Sequence, residues 1–180
     1  MRRSNDEMQY FDITNSKLPM DGKLAKRLGF KRILNVPEDI EILDTVKQTK
    51  KPFLISTTNP NIIYNLVKSR NAIGLLTNGE EIDPKTINKL KENEKLLVFN
   101  AYYLEISQRD RISKVHKLKK SFREGYRAKA KMAMVSLAPN EHYFLSTAQL
   151  LEISKMICTE DHQAKKMLTT IGELVNDIEA

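Results

Sequence analysis

The 180-residue chain has one cysteine, no tryptophan, and only six glycines and six prolines. A lone Cys158 excludes an internal disulfide framework and a cysteine-based zinc site, and it suits a reducing compartment. No stretch approaches the roughly 18 consecutive apolar residues of a membrane-spanning helix. Behind the opening Met1-Arg2-Arg3-Ser4-Asn5-Asp6-Glu7 there is no apolar run. A signal peptide is therefore not expected, and a cytoplasmic location is. Catalytic signatures are scarce too. His116, His142 and His162 stand alone, without the H-x-H or H-E-x-x-H spacing of a metal site. No G-x-G-x-x-G turn follows the first apolar segment, where Thr14-Asn15-Ser16-Lys17 stands, and this weakens a dinucleotide-binding reading. With 41% hydrophobic and 29% charged residues the chain is globular in composition. Its length suits one domain over residues 1–180.

What the chain has is positive charge, and in one place. There are 30 Lys+Arg against 23 Asp+Glu, a net +7. Residues 109–131 hold ten of the basic residues: Arg109, Arg111, Lys114, Lys117, Lys119, Lys120, Arg123, Arg127, Lys129 and Lys131. Only Asp110 and Glu124 oppose them, so the segment carries +8 and the remainder, with 20 basic and 21 acidic residues, carries −1. The segment also reads as a helix, with an apolar stripe of Ile112, Val115, Leu118, Phe122 and Tyr126 at spacings of three and four. A solvated helix face normally mixes both signs, and this one hardly does. Such clustering is the electrostatic footprint of a polyanion binder, with an acidic protein partner or a merely solubilising face as the other options.

Short apolar runs alternate with helical patterns along the chain. Strands are expected over residues 8–14, 31–36, 52–57, 72–76, 96–100 and 132–137. Helices are expected over 21–29 with Asp21 as cap, 38–49 with Ile42, Leu43 and Val46 on one side, 61–70 behind Pro60, and from Asp83-Pro84. The basic segment follows, then 148–158, then a last helix from Asp161 bearing Ala164, Met167, Leu168, Ile171, Leu174 and Val175. A repeated βα order implies a parallel sheet covered by helices. An open doubly wound sheet and a β/α barrel both fit. A barrel usually takes about 250 residues, so one of 180 would be trimmed.

Candidate chemistry is thin. Carboxylates at strand ends supply acids and metal ligands in β/α enzymes, and here they are Asp12 and Glu105. Together they would serve a free-standing metal-dependent hydrolase or phosphoesterase, a reading that lacks the usual paired carboxylates. Cys158 lies on an apolar stretch and reads as a buried structural thiol. Tyr102 and Tyr103, close to the basic segment, suit either stacking on unpaired bases or packing beneath a helix.

Three stretches together resemble a known family. They are MAMVSLAPNEHYFLSTAQLLEISKMICTEDHQAKKMLT from Met132, KLLVFNAYYLEI from Lys95 and FLISTTNPNIIYNLVKSRNAIGLLT from Phe53. In these, Ser136-Leu137-Ala138, Leu150-Leu151 and Gln163-Ala164-Lys165 occupy places where ribonuclease P protein component 3 shows a strand ending in Ser-x-Ala, a Leu-rich helix and a Glu-Ala-Lys helix. That family is the archaeal counterpart of the 30-kilodalton subunit of the eukaryotic enzyme. There are departures. Tyr102-Tyr103 stands for an Arg-Pro, Leu145-Ser146-Thr147 for an Arg-Ser-Pro, and Leu137 for the glycine of a Ser-Gly-Ala, so the arginine contacts do not carry over.

The resemblance implies a trimmed TIM-like β/α barrel. It implies a subunit that supports ribonuclease P RNA in removing the 5′ leader of precursor tRNA. Hydrolysis and its magnesium would belong to the RNA, and no cofactor to this chain. Component 2 and the other protein subunits would be partners. With the charge pattern, the expected RNA-binding residues are Arg109, Arg111, Lys114, Lys117, Lys120, Arg123, Arg127 and Lys131.

Overall fold

A computed structural model of the chain describes residues 9–15, 22–47, 49–106 and 109–179. Met8 and Asp21, expected as a strand start and a helix cap, lie outside the described residues. So do the side chains of Leu174 and Val175. In chain order the elements are β1 (Phe11–Thr14), α1 (Gly22–Leu28), β2 (Arg32–Asn35), β3 (Glu41–Leu43), β4 (Phe53–Ile55), α2 (Pro60–Leu66), β5 (Ala72–Thr77) and α3 (Pro84–Glu92). They continue with β6 (Leu96–Asn100), α4 (Ala101–Ile106), α5 (Arg111–Ala128), β7 (Met132–Val135), α6 (Thr147–Lys155) and α7 (Asp161–Glu179).

All strand pairs are parallel. β1 pairs with β2, and β3-β4-β5-β6-β7 form a five-stranded sheet in that order. Parallel strands covered on both faces need near-continuous apolar runs, and β5 and β6 are buried at every position. Residues of one parity, Phe53 and Ile55 of β4, Leu97 and Phe99 of β6 and Met134 of β7, pack outward with the helices. Their neighbours point the other way. Leu54, Ile73, Val98 and Val135 meet Phe11 and Ile13 of β1 and Leu34 of β2 in a second, inner core. The two sheets thus share one interior.

No hydrogen-bonded ladder closes this arrangement among the described residues. Beyond β7, Leu137 N donates to Ile13 O at 2.8 Å and Asn15 N to Ala138 O at 3.0 Å. Between them Leu137 takes a left-handed backbone, φ 46°, where a non-glycine residue is uncommon. At the other seam, between β2 and β3, residues 36–40 turn back on Asn35, whose carbonyl accepts from Asp39 N and Ile40 N.

Helix starts follow the chemistry of their first residues. Asp83 caps α3 by accepting from Thr86 N at 3.0 Å, with Pro84 in the first turn. Ser146 and Gln149 cap α6 reciprocally. The helix expected over 38–49 is absent among the described residues of that span. Glu41–Leu43 is instead β3, held by Glu41 N to Pro52 O at 2.9 Å and by pairing with β4. Val46, expected on an apolar side, is 64% exposed.

Candidate nucleic-acid interface

Helix α5 runs about 27 Å at 1.5 Å per residue. Its buried positions are Leu118, Ser121, Phe122 and Gly125. Two of them are small because neighbours come close. Ser121 Oγ accepts from the buried Ile82 N at 2.8 Å and donates to Lys117 O at 3.2 Å. At Gly125 an added Cβ would lie 2.7 Å from Met132 Sδ. The expected apolar stripe therefore holds only in its middle. Ile112 is 87% exposed and Tyr126 55% exposed. Ile112 lies about 120° around the helix from Leu118 at 100° per residue, which places it off the buried line.

Burying that line turns the cations outward. Arg109, Arg111, Lys117, Lys120, Arg123, Arg127 and Lys131 are all exposed, as are Lys119 and Lys129. Lys114 is half-buried, its Nζ 5.2 Å from the Tyr103 ring centroid. Lys120 lies 3.3 Å from Glu81 and Arg127 2.8 Å from Glu124. Exposed pairs of this kind are worth at most about 1 kcal/mol, so either cation can exchange to a phosphate.

Tyr102 and Tyr103 sit past the end of β6. Tyr102 is half-buried and meets Tyr103 and Tyr143 edge-on, with centroids 6.4 and 5.1 Å away. One face of Tyr103 is occupied by Lys114. The strand ends nearby satisfy one another. Asn100 Nδ2 donates to Asn78 Oδ1 at 2.8 Å, Asn78 Nδ2 to Ser56 Oγ at 3.4 Å, and Asn100 Oδ1 accepts from Tyr102 N at 3.1 Å.

Asp12 is 2% exposed. It accepts from Ile13 N at 2.8 Å, from Ser136 N at 2.7 Å, and from Ser136 Oγ. Burial raises its pKa to about 7 against the pull of those donors. Its oxygens are occupied by protein, and the Glu105 side chain lies outside the described residues. Among the described residues no group of three His, Cys, Asp or Glu side chains could hold a metal ion. Cys158 is buried 3.3 Å from Met167 Sδ, and burial pushes its thiol up to about 12, far from a thiolate. His116 and His142 are exposed, and His162 Nδ1 lies 2.9 Å from Glu160 Oε2. No helix among the described residues is long and apolar enough to cross a membrane.

One feature escaped the sequence reading. A groove of about 570 Å³ runs between the C-terminal half of α5, the start of β7 and α7. The Phe122 and Tyr126 rings form part of its wall, stacked at 6.2 Å and 22°. Aromatic residues four apart on α5 were the available signal, but they read as core.

Among solved structures, the chain is similar to a chain of the cryo-EM structure of archaeal ribonuclease P with mature tRNA. The TM-score is 0.69 at 11% identity, covering 97% of this chain and 84% of that one. It is also similar to the crystal structure of an uncharacterized protein, with TM-score 0.53 at 13% identity, covering 70% of this chain and 34% of the other. No family model and no curated protein matches the sequence. At such identities the likeness is one of fold.

Proposed function

We propose that this chain is the component 3 protein subunit of ribonuclease P and binds the enzyme's RNA along the outer face of α5. The observation that carries the reading is the exposed cationic face of α5 on a fold shared, over 97% of the chain, with a member of an archaeal ribonuclease P assembly. The shared interior of the two sheets and the Leu137–Ile13 bond support reading the fold as a trimmed, barrel-like β/α closure.

Each exposed Lys or Arg that meets a phosphate releases condensed counterions and relieves repulsion between folded RNA strands. A compact RNA then holds magnesium at lower concentration, and the hydrolysis that removes the 5′ leader of precursor tRNA stays with the RNA. Shape and backbone are read by this helix, since A-form grooves hide base identity from side chains. The nearly neutral remainder of the surface is left for component 2 and other protein subunits, in the cytoplasm.

The test is binding of ribonuclease P RNA by the chain and by a variant with Lys117, Lys120, Arg123 and Arg127 changed to alanine. The variant should fold normally and bind more weakly. Its log–log salt slope should be shallower by about three to four. Parental affinity that does not change between about 50 and 200 mM salt would overturn the assignment.

A further inference from the structure

The groove beside α5 holds a hydrogen-bond donor that the protein itself does not use. Gln163, at the start of α7, is 6% exposed and lines the groove. Its Oε1 accepts from Thr159 N at 3.2 Å, Thr159 Oγ1 at 2.9 Å and Glu160 N at 3.2 Å. Backbone N–H groups only donate, so they fix which end of the amide is oxygen. The Nε2 group is then the end left over, and it has no hydrogen-bond partner among the described residues. Facing an open groove, this amide end can donate to whatever enters, and an occupant that excludes water without offering an acceptor would leave the donor unpaired.

The rest of the groove describes what fits there. Tyr126 offers a half-exposed aromatic wall backed by Phe122. Lys129 and Lys166 are exposed at the rim, and no Asp or Glu is among the described residues that line it. Arg123 and Arg127, on the same helix as Tyr126, continue the cationic surface.

We propose that this groove receives an unpaired nucleobase of the bound RNA. The base stacks on Tyr126, a ring nitrogen or carbonyl oxygen accepts from Gln163 Nε2, and the flanking phosphates meet Lys129 and Lys166. The inference rests on α5 being the RNA interface and adds to it a preference for single-stranded over paired RNA. An apolar side chain from a protein partner would fill the same space but leave Nε2 unmatched. A base supplies the flat face, the acceptor and the anion together.

The experiment uses the full chain, a 12-nucleotide single-stranded RNA carrying one 2-aminopurine, and a duplex of the same length. Stacking should quench the 2-aminopurine on binding. Tyr126→Ala should remove the quench and weaken single-strand binding by about five- to a hundredfold, with duplex binding unchanged. Gln163→Glu keeps an oxygen for the Thr159 and Glu160 amides and places a favourable charge at a helix start. Thermal unfolding should confirm that it folds, and single-strand affinity should drop about tenfold. Lys117→Ala with Lys120→Ala should weaken both RNAs alike.

If both groove variants bind the single strand as the parent does while the lysine variant loses both RNAs, the base site is overturned. The α5 reading then stands, and the groove passes to a protein segment. Equal losses on single strand and duplex in Tyr126→Ala would also overturn base stacking. A parent that binds neither RNA overturns the α5 reading itself.

Discussion

A carboxyl group enclosed between two strands keeps its proton longer than a free one. Burial pushes the Asp12 carboxyl up to about 7, from an ordinary value of 3.8. Between those values the folded chain holds a proton that the unfolded chain has released. Stability should therefore fall as pH rises from about 4 to 7 and level off above, by on the order of 4 kcal/mol at most. Asp12→Asn should flatten this slope, since an amide can still accept from Ile13 N and Ser136 N while carrying no charge. Urea midpoints across that pH range read it directly. Lys129 is a second residue held against its preference. It ends α5 in the left-handed region at φ 57°, where a Cβ costs about 1 kcal/mol that glycine avoids. Lys129→Gly should stabilise the fold by about 1 kcal/mol, read as a higher urea midpoint at unchanged slope, and lower RNA affinity, a trade of stability against binding.

At the scale of elements, α5 is positioned by contacts that no periodicity contains. Ser121 is polar on a buried line because the amide of Ile82 needs an acceptor there. Ser121→Ala should cost about 1–3 kcal/mol in chemical denaturation, more than a surface serine would. The same distinction explains what the sequence revealed. The charge of α5, the cap at Asp83 and the runs of β5 and β6 are local signals, and the elements they mark are present. β3 is three residues long, too short for alternation to register, and it exists through its pairing with β4. The groove was invisible for the same reason. Tyr126 reads as one more apolar position until the fold sets Gln163 and Lys166 beside it. Leu137 was legible only as a departure from a glycine, and its positive φ shows the conformation at stake.

For the whole molecule, the shared inner core ties β1 and β2 to the five-stranded sheet without a full ladder. The tie is made by the Leu137 and Asn15 amides and the Thr14 hydroxyl, which donates to Ala138 O at 2.8 Å, with Asp12 and Ser136 beside them. Hydrogen exchange should show those two amides protected in the parent. In Asp12→Ala they should exchange faster, while amides between β5 and β6 stay slow. Exchange at the same rate in both proteins would mean that the inner core alone holds the two sheets together.

The placement of cations on one helix gives the molecule a permanent electric dipole. At its isoelectric point, near pH 9.4, the net charge vanishes but the separation of charge does not. Such a body presents its α5 side to any anionic surface and should be retained on a cation exchanger at that pH, from which the variant lacking Lys117, Lys120, Arg123 and Arg127 should elute early. Its retention should fall as salt is added, because the attraction of α5 to the anionic matrix is screened.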